Sequence, residues 1–252
     1  MTAPPPAEAA NAPGACLFPY GEAEMAHLAA RDAALARLME QLGPIRRERI
    51  PDPFMALVHA IAGQQISGAA HATVWRRLLA AFPAFTPEAL AAASPEDLRA
   101  CGLSLRKGNS VREIARRAAC GELDLAALPG LDDAALCERL CALPGVGLWT
   151  AEMIMIFSLA RMNVLSLGDF GIRKGLRMLY RKRELSPALV ARVKKRYAPY
   201  ASVASLYLWA LAGGAGGPAY SDPARTTARP GARKPARKSA HGGAAAPAAR
   251  TR

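Results

Sequence analysis

A chain of 252 residues that is 52% hydrophobic and only 6% aromatic is long enough for one well-buried domain or two small lobes, and its scarce β-branched runs argue against a sheet protein. No stretch of about 18 uncharged apolar residues occurs, so no membrane span is expected, and the Pro/Ala-rich start does not read as a signal peptide. Abundant Ala and Leu make an all-α fold the default, while a formal charge of +13 makes a polyanion the first partner to consider.

In chain order, residues 1–15 are small residues and prolines with nothing to bury, and they read as disordered. Residues 22–42 form one amphipathic helix that stops at Gly43-Pro44. Asp52-Pro53 is a cap followed by a first-turn proline, and it starts a helix over 54–62. Gly63 interrupts that helix, and a second spans 67–81 and ends before Pro83. Thr86-Pro87 and Ser94-Pro95 each start a short helix by the same signature. Helices over 107–121 and 132–141 flank the turn Leu128-Pro129-Gly130. The strongly apolar segment 148–161 reads as central, and helices over 169–180, 186–197 and 200–211 complete the set. About ten short helices with brief connections make a compact, all-α, two-lobed fold.

After Gly214 the composition turns to Gly, Ala and Pro with scattered basic residues, which places the folded domain at 16–214 and a disordered basic tail at 215–252. Residues 217–252 hold eight Lys/Arg against Asp222, and so carry more than half of the net charge. Such a tail could contact DNA or simply be solvated, and composition leaves both open. Five cysteines (Cys16, Cys101, Cys120, Cys137 and Cys141) without paired spacing read as reduced thiols. Cys137 and Cys141 lie four apart on one helix, where burial is the expectation rather than metal binding.

The segment 132–160 reads helix, then Leu143-Pro144-Gly145-Val146-Gly147, then helix. Two glycines permit a tight turn and the close approach of a phosphate. Amides after the turn are unpaired donors at a helix N-terminus, where the dipole favours an anion. A hairpin of this kind grips phosphate without reading sequence. Asp169 follows Gly168 at the start of a helix, where an N-cap is the plain reading.

LPGVG followed by Leu148-Trp149-Thr150-Ala151, with an Asp 20 residues after the Trp in GDFGIRKG, resembles the helix-hairpin-helix DNA glycosylase superfamily. More closely, it is similar to the 3-methyladenine DNA glycosylase II branch in its compact form. Segments 54–67, 102–115, 168–180 and 197–209 look like blocks of the same family in the same order, and together they cover most of 17–212. The resemblance implies a cleft between two helical lobes and hydrolysis of the N-glycosidic bond of alkylated purines of the 3-methyladenine and 7-methylguanine type. The base is flipped out, and an apurinic site is left for base-excision repair. The alternatives are a glycosylase for uracil, hypoxanthine or oxidised bases, and a non-catalytic helix-hairpin-helix DNA-binding protein.

By that resemblance Asp169 is the catalytic carboxylate, which stabilises positive charge on the sugar and orients water. Trp149 stands where strand-cutting relatives carry a Schiff-base Lys; lacking an amine, it implies a monofunctional enzyme without AP-lyase chemistry. Trp149, Trp209, Phe170 and Met153 are the base-pocket candidates, with Met153 standing where a relative has Tyr. Gln65 falls at the wedge position that fills the gap left by the flipped nucleotide. Gly145, Gly147 and Thr150 are expected at the phosphate, and Arg106, Lys107, Arg173 and Lys174 are candidate backbone contacts. The family's Arg after Pro-aromatic is Ala201 here, so one polar contact is missing. The carbonyls of Cys141, Leu143 and Val146 match those that hold a structural Na+ or K+ in relatives. No cofactor is required, and with no Cys after Cys141 there is no iron–sulphur cluster. The expected partner is double-stranded DNA with damaged bases, bound by a monomer in the cytoplasm, nucleoid-associated, with no membrane involved. Too few residues precede the first family block for the N-terminal β-rich domain of larger relatives.

Overall fold

A computed structural model of the chain describes residues 16–224. The disorder read for 1–15, and the basic tail from Arg225 onward, lie outside the described residues. Within them the secondary structure is helical, apart from one isolated antiparallel bridge between Leu17 and Glu48. The α-helices are α1 (Glu22–Arg31), α2 (Ala33–Leu42), α3 (Pro53–Gly63), α4 (Gly68–Ala81), α5 (Pro87–Ala92) and α6 (Pro95–Ala100), then α7 (Leu105–Ala119), α8 (Asp133–Cys141), α9 (Leu148–Phe157), α10 (Phe170–Tyr180), α11 (Pro187–Tyr197) and α12 (Ala201–Ala212).

Local chemistry starts most of them. Asp52, Ser67, Thr86, Ser94, Ser104, Asp132 and Ser186 each accept an amide of their helix's first turn, and proline follows the cap in α3, α5, α6 and α11. The single helix expected over 22–42 is instead two. Asp32 leaves helical geometry at φ −144° and caps α2, its Oδ1 accepting the Ala34 and Leu35 amides. Asp32 is buried, and its Oδ2 also accepts from the Tyr180 hydroxyl and from Arg196 at 3.1 Å. These partners are remote in sequence, so the amphipathic pattern runs through the break unmarked. The apolar segment 148–161 likewise stops being helical at Phe157, and beyond it Ala160 adopts left-handed backbone at φ 52°.

Helix pairs in contact fall into two groups, α3 to α9 in one and α1, α2, α10, α11 and α12 in the other. α12 is buried almost throughout, and α10 packs on it closely enough that a Cβ at Gly175 would stand 2.4 Å from the Leu208 carbonyl oxygen. The groups meet where α9 and the turn before α10 come together, and the candidate site is there. No described helix is long and apolar enough to cross a membrane.

The fold also runs past the boundary read at 214. A 3-10 turn at Gly217–Ala219 is followed by Asp222, whose side chain is 6% exposed and pairs with Arg177 at 3.1 Å. Gln41 Nε2 donates to the Gly216 carbonyl at 3.1 Å. Polar and backbone bonds fasten this segment, and a composition read for apolar content hides them. The expected burial of Cys137 and Cys141 is also corrected: Cys137 is half-buried and Cys141 exposed, because the first turns its face toward the bundle and the second sits at the open end of α8.

Candidate active site

Asp169 is the N-cap of α10 and is 2% exposed. Its Oδ1 accepts the Ile172 amide at 2.9 Å and the Trp209 indole Nε1 at 2.9 Å, while Oδ2 accepts the Trp149 indole Nε1 at 2.7 Å. An ionised carboxylate offers about four lone-pair directions. Three are used here, and the one left over is on Oδ2. One side chain therefore both caps α10 and keeps one lone pair of its carboxylate unpartnered by these donors. The carboxylate is rigid because its three donors belong to α9, α10 and α12.

Three expected pocket aromatics surround it. Phe170, the next residue, is 55% exposed, and Trp149 is half-buried. Trp209 is 6% exposed, packs against Phe157 with ring centroids 5.5 Å apart, and acts as a strut behind the carboxylate. Met153 lies one turn beyond Trp149 and is buried at 7% exposure. Trp149 and Phe170 thus present open surface beside Asp169, whereas Trp209 and Met153 are mostly committed to packing.

The hairpin has the shape its glycines require. Gly145 sits at φ 79°, and a Cβ there would stand 2.6 Å from Ser110 Oγ on α7. Gly147 caps α9 facing open space, so the first amides of α9 are presented outward. Thr150, expected at the phosphate, lies in the first turn of α9. Its hydroxyl is buried and accepts from Gln64 Nε2 at 3.0 Å, which leaves its amide as the group at the helix start. Gln64 also donates to the Gly145 carbonyl at 2.9 Å and so ties the turn after α3 to the hairpin. Gln65 is exposed and holds left-handed backbone at φ 57°, an unusual conformation for a residue with a side chain. Its side chain is projected outward by a turn whose neighbour is locked.

Of the four basic candidates, Arg106 and Arg173 are exposed. Lys107 and Lys174 do other work. Lys107 Nζ donates to the Ala62 and Gln64 carbonyls at 2.8 and 2.6 Å, closing the C-terminal end of α3, and its burial there pulls its pKa down. Lys174 Nζ donates to the Ala212 carbonyl at 2.6 Å at the end of α12. Both ammonium groups thus rest against backbone carbonyls at helix ends. At the hairpin, the Leu143 carbonyl accepts the Val146 amide at 3.1 Å.

Two residues escaped sequence reasoning. Glu152 on α9 accepts from the Ser166 hydroxyl at 2.5 Å, and Ser166 is fully buried. Burial, with the nearby charge of Asp169 adding to it, pushes the Glu152 carboxyl above the usual range. Its place three residues after Trp149, on the same helix face, was the available signal. Ser166 carried none.

A family model described as HhH-GPD superfamily base excision DNA repair protein matches residues 58–199. The chain is 33% identical over 193 residues to DNA-3-methyladenine glycosylase 1 of Schizosaccharomyces pombe, covering 73% of this chain and 84% of that one. The crystal structure of a DNA-3-methyladenine glycosidase from Bacillus halodurans superposes with a TM-score of 0.69 at 37% identity, over 78% of this chain and 92% of that one. The S. pombe 3-methyladenine DNA glycosylase Mag1 in complex with abasic DNA superposes with a TM-score of 0.64 at 30% identity, over 75% and 96%.

Proposed function

We propose that this chain, which belongs to the HhH-GPD superfamily of base excision DNA repair proteins, is a glycosylase that hydrolyses the N-glycosidic bond of alkylated purines in duplex DNA. The observation that carries the reading is Asp169, held by three N–H donors with one Oδ2 lone pair left over, beside the open faces of Trp149 and Phe170. A 3-methyladenine or 7-methylguanine nucleotide is already cationic, so its base leaves with little acid catalysis. The protein's task is to stabilise positive charge arriving on the sugar and to direct water to C1′. Asp169 supplies the negative charge, and its fixed donors remove the reorganisation that a mobile carboxylate would need. The carbon–nitrogen bond breaks with its electron pair going to the base, and water adds to C1′ while losing a proton to Asp169 or solvent.

The hairpin amides of Gly145, Gly147 and Thr150 take a backbone phosphate, Gln65 enters the stack, and Arg106 and Arg173 contact flanking phosphates. The carbonyls of Cys141, Leu143 and Val146 would hold a monovalent cation beside that phosphate. No amine stands at Trp149, and for that reason the enzyme is monofunctional and leaves an intact strand with an apurinic site. It acts as a monomer, in the cytoplasm at the nucleoid. The direct test is incubation with methylated duplex DNA. Free 3-methyladenine or 7-methylguanine is expected, with no strand break until base or heat is applied. Absence of released base would overturn the activity, and strand cleavage without treatment would overturn the monofunctional reading.

A further inference from the structure

Glu152 is a carboxylate near Asp169 to which the reaction above gives no role. Asp169 lies at the end of a turn that begins at Ser166, whose carbonyl accepts the Asp169 amide at 3.1 Å. The hydroxyl of the same serine donates to Glu152 Oε2 at 2.5 Å. One helix, α9, therefore grips the turn at both ends, through Glu152 at Ser166 and through the Trp149 indole at Asp169 Oδ2. Ser166 is fully buried and has a single hydroxyl proton, so the bond to Glu152 uses its only side-chain donor.

We propose that Glu152 is a positioning residue for excision, fixing the Ser166–Asp169 turn and adding its negative charge to the field in which the sugar cation forms. This rests on the glycosylase reading. The groups facing Glu152 are Ser166 and Asp169 from the turn before α10, Lys194 on α11 and Cys137 on α8. Burial and Asp169 favour its neutral form, whereas Ser166 and Lys194 favour the ionised one. The net upward push places its titration above that of an ordinary carboxylate, and the site gains a charge as pH rises through that point. Reaction through a cationic sugar should accelerate over the same interval.

The experiment follows single-turnover release of methylated purines across pH by full-length wild type and Glu152→Gln, with the indole N–H resonances of Trp149 and Trp209 recorded on 15N-tryptophan-labelled protein. Wild type should show a rise in rate and a matching step in the Trp149 resonance. Glu152→Gln should lose both, excising severalfold more slowly than wild type above the step and equally below it. A variant that keeps the wild-type rate and the step overturns the proposal. Should wild type release no base, the glycosylase reading fails by itself. The resonances then decide alone: loss of the step in Glu152→Gln upholds the contact, and persistence overturns it. If Glu152→Gln does not fold, Ser166→Ala replaces it, because removing the donor that favours the ionised form must move the step upward. An unmoved step overturns the proposal.

Discussion

Acidification from pH 7 to pH 5 should cost the fold about 2 kcal/mol through a single imidazole. His59 lies on α3 with its ring 4.2 Å from that of His71 and 4.8 Å, edge-on, from that of Trp75. Burial first, then the His71 and Arg47 charges, push its pKa from 6.5 down to about 3. The folded state thus binds the proton less well than the unfolded chain. The neutral ring's contribution is intact above the unfolded pKa of 6.5 and is lost progressively as pH falls toward 3. At pH 5 the unfolded chain is protonated over about 1.5 units while the folded ring is still neutral, and at about 1.4 kcal/mol per unit that gives about 2 kcal/mol. Urea unfolding of wild type and His59→Phe at both pH values isolates the term from the carboxylates that titrate alongside it. Wild type should lose about 2 kcal/mol more than the variant. Equal losses would refute the reasoning. The consequence reaches the site, because His71 donates to the His59 carbonyl at 3.0 Å and packs where a Cβ on Gly63 would stand, just before the Gln64–Gln65 turn.

Other outcomes follow from single contacts. Trp149→Phe removes one N–H donor from Asp169 Oδ2 and keeps the ring. Loss of that charge-assisted bond, about 1.5–3 kcal/mol, should lower stability by up to that amount and slow excision by about tenfold or more, as read by thermal melting and single-turnover rate. Gln64→Ala severs the turn after α3 from the hairpin at Gly145 and Thr150. It should weaken duplex binding severalfold in a fluorescence titration while the rate on saturated enzyme falls less. Gly175→Ala forces a Cβ against the Leu208 carbonyl oxygen, 2.4 Å away, and should destabilise the α10–α12 contact by about 1–3 kcal/mol. Calorimetry would register that as a lower Tm.

Much of this molecule was legible in its sequence where the cause is local. Cap-then-proline pairs at Asp52, Thr86 and Ser94 start helices because the signal and its effect lie within four residues. The hairpin was legible for the same reason, since a glycine suits the left-handed turn at Gly145. What stayed hidden is non-local. Asp32 breaks the first helix while serving Tyr180 and Arg196, more than a hundred residues away. Lys107 and Lys174 look like phosphate ligands in a basic chain, and only the fold brings them to the ends of α3 and α12. The closing of the domain through Asp222 and Arg177 is invisible to a reading that weighs apolar content. The chemical role proposed for Asp169 came from family resemblance, while its three donors, converging from three helices, were not legible in the sequence.

Asp169→Asn tests that role most directly. The amide keeps the volume and can still accept the Ile172 cap, but it carries no charge for the sugar cation and turns one donor toward an indole N–H. Released 3-methyladenine and 7-methylguanine should be measured under single-turnover conditions on methylated duplex DNA, with the variant shown to melt and bind DNA like wild type. A loss of at least about 100-fold in rate with binding retained is the predicted result. Release at the wild-type rate would contradict the account.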